Sequence, residues 1–153
     1  MVIKKLYMAY GSNMNQERMM ERCPTAKILG SAILKSYRLL FRGENAGAVA
    51  TIEKQDGGIL PVVIWEITPS DEIALDRYEG FPFLYRKEYI KLKFGGKQIE
   101  ALVYILNDGR PLGLPSRYYY EIIKKGYETV KLDIKILNSA VQVSSKKEPA
   151  NDK

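Results

Sequence analysis

The sequence predicts an α+β protein: a small, mostly antiparallel β-barrel with flanking helices. Three observations carry that expectation. Runs with β-like spacing are many and short. Tight-turn signals, Asp56-Gly57-Gly58 and Gly95-Gly96, sit between such runs. Helical spacing appears in only a few segments and does not alternate regularly with strands, which argues against a doubly wound sheet.

Taken in order, residues 4–10 form a first strand. Asn13 or Asn15 caps a helix over 16–22, and Cys23-Pro24 stops it, because the residue before a proline avoids helical angles. Residues 26–42 read as β structure, broken near Gly30 and Ser36, and 43–47 as a turn or loop. Residues 48–53 form another strand, and Asp56-Gly57-Gly58 turns it into 59–67. The near-continuous apolar run Val62-Val63-Ile64-Trp65 suits a strand buried on both faces.

Thr68-Pro69-Ser70-Asp71 is a helix start, with Thr68 at the cap, proline at the first helical position and an acid three residues past the cap. The helix over 69–78 places Ile73, Ala74 and Tyr78, with Leu75 beside them, on one side, and Gly80 ends it. Residues 85–94 alternate, and Gly95-Gly96 turns them into 98–106 as a hairpin. After a loop over 107–114, Pro115-Ser116 opens a helix over 117–129 with Ile122, Ile123 and Tyr127 in helical spacing and an internal Gly126. Residues 133–143 form a last helix. One domain is expected over 1–143, followed by a disordered tail over 144–153, which is polar, charged and broken by Pro149.

Composition narrows the chemistry. The chain has 153 residues, 46% hydrophobic and 27% charged, the profile of a globular protein with a core. Histidine is absent, which removes Ser-His-Asp and Cys-His triads. The single Cys23, next to Pro24, cannot supply a zinc ligand set or an internal disulfide, and it reads as structural. No metal and no cofactor are expected, and any acid–base work falls to a carboxylate, lysine or tyrosine. The net charge of +6 is dispersed along the chain, which speaks to a solvated surface and against a nucleic-acid site. No apolar run reaches the ~20 residues of a membrane span, and the N-terminus lacks a signal-peptide pattern. A cytoplasmic protein without a membrane partner is expected.

Two motifs carry chemistry. Tyr10-Gly11-Ser12-Asn13-Met14 follows the first strand and precedes the first helix, so it exposes several backbone N–H groups at one point, suited to a carboxylate or an oxyanion. By itself Gly-Ser-Asn is also an ordinary connection. Glu79 lies in Asp76-Arg77-Tyr78-Glu79-Gly80-Phe81-Pro82, at the C-terminal end of a helical pattern, where the helix dipole disfavours negative charge and aromatic neighbours favour burial. Both effects raise a carboxylate's pKa toward the range useful for exchanging a proton near neutral pH.

The Tyr-Gly-Ser-Asn-Met turn, Tyr78-Glu79-Gly80 at mid-chain, Tyr85-Arg86 and the late Pro115-Ser116-Arg117-Tyr118-Tyr119 segment together resemble the γ-glutamylcyclotransferase family over approximately residues 4–132. The resemblance implies a small barrel with a cavity at one mouth and intramolecular aminolysis of a γ-glutamyl amide to 5-oxoproline and a free amine. It implies Glu79 as the catalytic general base and acid. It also implies substrate binding by the backbone of Tyr10, Gly11, Ser12, Asn13 and Met14, with Tyr85 and Tyr119 lining the pocket; within the triple tyrosine the assignment to Tyr119 rests on spacing from Pro115-Ser116. The loops 43–47 and 107–114 match nothing that identifies a leaving group. The alternative is a non-catalytic small-molecule binding module on the same barrel, in which Glu79 only holds an ammonium group.

Overall fold

A computed structural model describes residues 3–146. Five strands and four helices occur among them: β1 (Lys5–Ala9), α1 (Gln16–Arg22), β2 (Lys27–Arg42), β3 (Val49–Ile67), α2 (Pro69–Glu79), β4 (Tyr85–Phe94), β5 (Lys97–Leu106), α3 (Arg117–Thr129) and α4 (Ile134–Ser144). No helix among the described residues is long and apolar enough to cross a membrane.

The strands form one sheet in the order β2-β3-β1-β5-β4. All neighbours are antiparallel except β1 and β5, which run parallel through Tyr7 and Leu102. β1 is central and buried on both faces at Tyr7, Met8 and Ala9. β3 is likewise buried without interruption from Leu60 to Trp65. The sheet curls strongly. Beyond the end of β1, Leu106 N–H donates to Thr51 Oγ1 at 3.1 Å, joining β5 to β3. The Phe94 ring approaches Gly30, where an added Cβ would lie 3.4 Å from it. Yet β2 and β4 do not pair among the described residues, so the expected barrel is an open, curled sheet.

Three local expectations are corrected. Asp56-Gly57-Gly58 does not reverse the chain. β3 runs straight through it, and β2 pairs with both halves, Tyr37 opposite Lys54 and Lys35 opposite Ile59. The glycines serve a bulge instead: Gly57 has φ 73°, and a Cβ on Gly58 would collide with the Tyr37 carbonyl. The break near Ser36 lies opposite this bulge, and the break near Gly30 is a separate register shift opposite Ile64 and Trp65; both residues have positive φ.

In α2 the buried residues are Asp71 and Leu75, while Ile73 and Tyr78 are exposed. Asp71 is buried because its carboxylate accepts the Thr68 N–H at 3.0 Å and its own N–H donates to Thr68 Oγ1, a reciprocal cap. The first residue of the expected tail belongs to α4. Ser144 is the buried last residue of α4, its hydroxyl accepting the Phe41 N–H at 2.8 Å. Residues 147–153 lie outside the described residues.

Candidate active site

After β1 the chain makes a single tight turn over Ser12–Met14 before Asn15 caps α1. Met14 N–H donates to Gly11 O and Asn15 N–H to Ser12 O, each at 3.0 Å. The N–H groups of Gly11, Ser12 and Asn13 have no acceptor among the described residues. Asn13 is held at every other polar atom. Its Nδ2 donates to Tyr7 Oη at 2.9 Å, its Oδ1 accepts from Arg22, and its carbonyl accepts from Trp65 Nε1 at 3.0 Å. Its side chain is therefore committed to the fold, and its amide is what remains to offer. α3 supports the turn from outside. Asn15 Nδ2 donates to Ile122 O at 3.0 Å, and a Cβ on Gly126 would stand 2.8 Å from the Met14 carbonyl carbon.

Glu79 is the last residue of α2, and Gly80 at φ 65° closes that helix in the left-handed conformation. The Glu79 carboxyl is enclosed by protein, although the residue as a whole is only half-buried. No donor among the described residues hydrogen-bonds it, and its oxygens open onto a cavity of about 190 Å³. Burial pushes its pKa up to about 7, against the opposing pull of the Arg22 guanidinium.

The turn and the carboxylate line that one cavity together. Its walls are mainly tyrosine. Tyr85 Oη donates to Ala50 O at 2.7 Å and Tyr119 Oη accepts the Ala50 N–H at 3.0 Å, so two rings grip one residue of β3 from β4 and α3. Tyr10 Oη donates to the Tyr104 carbonyl. Burial raises the pKa of Tyr7, Tyr10, Tyr85, Tyr104 and Tyr119, so these hydroxyls stay neutral. Glu79 is thus left as the lining group poised to change charge near neutral pH. Gly11 keeps the hollow open, since a Cβ there would lie 3.2 Å from Ala50 Cβ.

A family model described as γ-glutamyl cyclotransferase, AIG2-like, matches residues 7–134. The chain belongs to this family. It is 32% identical over 130 residues to the γ-glutamylcyclotransferase of Homo sapiens, an alignment covering 79% of this chain and 69% of that one. The Mus musculus γ-glutamylcyclotransferase matches to the same extent. A solved γ-glutamyl cyclotransferase superposes with a TM-score of 0.79 at 26% identity, covering 99% of this chain and 93% of that one.

Within this γ-glutamylcyclotransferase fold, the residues singled out from sequence do not all reach the cavity. Glu79, Tyr10, Gly11, Ser12, Asn13, Tyr85 and Tyr119 line it. Met14 does not: it is fully buried in the core, and its N–H is already bonded to Gly11 O. Of the three consecutive tyrosines, Tyr119 points inward, Tyr118 is 67% exposed, and Tyr120 bonds Asn138. Helical phase already marks Tyr119, which lies four residues before buried Ile123 and seven before Gly126.

Several lining or supporting residues were not singled out in the sequence. Tyr7 and Tyr104 line the cavity from the sheet, Tyr78 from α2, and Trp65 and Arg22 hold the turn from behind. Strand alternation could have flagged Tyr7 and Tyr104. Nothing local marks Arg22.

Proposed function

We propose that this chain catalyses intramolecular aminolysis of a γ-glutamyl amide, releasing 5-oxoproline and the free amine, with Glu79 as general base and then general acid. The observation that carries this reading is the pairing of an unbonded carboxylate, its pKa near 7, with three unbonded backbone amides in one small cavity. The cavity is well below the ~300–1,000 Å³ of sites for drug-sized ligands, which suits a single glutamyl unit with its leaving group outside.

The substrate's α-ammonium gives its first proton to Glu79. The freed nitrogen attacks the γ-carbonyl carbon and a five-membered ring closes, an intramolecular step with a high effective concentration. The attacking nitrogen sheds a second proton as the amide C–N bond breaks. The leaving nitrogen takes up both protons, one of them from Glu79, which ends ionised as it began. The amides of Gly11, Ser12 and Asn13 supply hydrogen bonds to the substrate's α-carboxylate or to the developing oxyanion.

The test is release of 5-oxoproline from γ-glutamyl dipeptides and γ-glutamyl amines. Wild-type protein turns over at least one of them, with kcat/KM rising with pH up to about 7 as Glu79 ionises. Glu79→Gln keeps the fold and loses roughly a thousandfold in kcat. Substrate bound but returned unchanged by the wild type would support the binding-module alternative instead.

A further inference from the structure

We propose that Arg22 is a positioning residue, one that clamps the amide turn to the end of α2 so that Glu79 is held opposite the unbonded amides. The inference rests on the catalytic reading above but concerns a residue outside the cavity lining.

Arg22 is the last residue of α1. Its guanidinium donates to Asn13 Oδ1 and, at 3.4 Å, to Ser12 Oγ. Its Cζ also sits 3.4 Å from the centroid of the Tyr78 ring, the residue that immediately precedes Glu79. Ser12 Oγ and Tyr78 Oη are themselves 3.3 Å apart. One planar cation therefore joins three pieces of chain: the end of α1, the turn, and the last turn of α2. Both hydrogen bonds leave one nitrogen, Nη1, while the flat face of the guanidinium lies on the Tyr78 ring; an ammonium can donate to two oxygens but has no flat face to stack on the ring at the same time.

The same group supplies the charge that Glu79 feels. Tyr7 of β1, Tyr10 of the turn, Tyr78 of α2, Tyr85 of β4, Tyr104 of β5 and Tyr119 of α3 surround the carboxylate, and no cation lines the cavity. Arg22, reaching in from α1, is the charged group that favours the ionised carboxylate against the burial that disfavours it. Its two effects can be separated, because a lysine keeps the charge and loses the stacked face, whereas a methionine loses both.

The experiment uses Arg22→Lys and Arg22→Met in the full chain, with two readouts. The first is the pH titration of the Glu79 side-chain carboxyl carbon by NMR, its signal assigned by its absence in Glu79→Gln. The second is kcat and KM against pH with whichever γ-glutamyl amide the wild type cleaves. In Arg22→Met the Glu79 midpoint moves above the wild-type value, the acid limb of kcat/KM moves with it, and KM rises. In Arg22→Lys the midpoint stays near wild type while KM rises about tenfold, the order of losing a desolvated cation–π contact. An Arg22→Met protein with wild-type midpoint and KM overturns the proposal. Should Arg22→Met not fold, Arg22→Lys decides alone, and an unchanged KM there overturns the clamp. The NMR titration needs no turnover, so failure of the catalytic reading and failure of this one are told apart.

Discussion

Two hollows of the molecule differ in kind, and the smaller of the two carries the unspent chemistry. A wide groove of about 930 Å³ lies on the other face of the same wall, as strand alternation shows: Ala50, Tyr85 and Tyr104 face the cavity, while Thr51, Arg86 and Ile105 face the groove. The groove is rich in charge, and much of that charge is paired within itself. Arg42 meets Glu53 at 2.5 Å, Arg86 meets Glu88 at 2.7 Å, and Arg86 also donates to the Leu106 carbonyl. The cavity is about a fifth as large, and its polar groups are the ones left without partners: three amides and one carboxylate. Partly satisfied polarity, held in place by fully satisfied neighbours, marks a site better than volume does.

The largest effect sharpens that contrast directly. Neutralising the cavity carboxylate with Glu79→Gln lowers kcat roughly a thousandfold, whereas the same change at the groove, Glu88→Gln, leaves kcat within about twofold. Comparable losses from the two changes would dissolve the distinction. A second effect acts from behind the turn. Gly126→Ala places a methyl 2.8 Å from Met14 and 2.9 Å from Asn15 N, so α3 must move away from the turn. The strain, typically ~1–3 kcal/mol, outweighs the ~1 kcal/mol that alanine gains over glycine in a helix. Denaturant unfolding should show net destabilisation, with kcat/KM falling about tenfold as the amides lose their aim. A stabilised variant would mean that the close approach does not fix the turn.

Legibility in the sequence follows the range of the interaction. Elements set by local chemistry were readable. The Thr68 cap and Gly80 bound α2, and Asn15, one of the two candidates, caps α1. The two site motifs were readable for the same reason, each being a turn or a helix end. Non-local facts were not. Asp56-Gly57-Gly58 has the composition of a hairpin turn, and only β2, sixteen residues long and able to pair with both halves of β3, makes it a bulge. The apolar side drawn for α2 failed because that helix is largely polar and buries Leu75 and a capping acid rather than a stripe. The grip of Tyr85 and Tyr119 on Ala50 joins three elements far apart in the chain, and no spacing rule reports it.

The carboxylate also leaves a mark on stability. Its pKa in the folded protein, about 7, lies above the ordinary value of 4.5, so the folded state binds the proton more tightly than the unfolded state. Stability from this group is complete below about pH 4.5 and is lost as pH rises toward and through 7. Glu79→Gln, which never ionises, should therefore be more stable than wild type at pH 8 by about 2 kcal/mol, a figure discounted for the partial exposure of the residue. At pH 4.5 the gap should close. Parallel stability–pH curves for the two proteins would show that Glu79 does not titrate out of its ordinary range.

The smallest effect belongs to the groove and tests the other half of the comparison. Asp108 is fully exposed at its rim and stands 3.9 Å from Arg86, and its exposure to water leaves that pairing weak. Asp108→Asn should change neither the midpoint of unfolding nor kcat/KM by more than about twofold, and added salt should not alter that. The paired charges of the groove would then be accounted for as surface that solvates the sheet. A loss of activity confined to the longer γ-glutamyl amides would contradict this, because only a leaving group extending from the cavity to the groove connects a rim carboxylate with the rate of cyclisation.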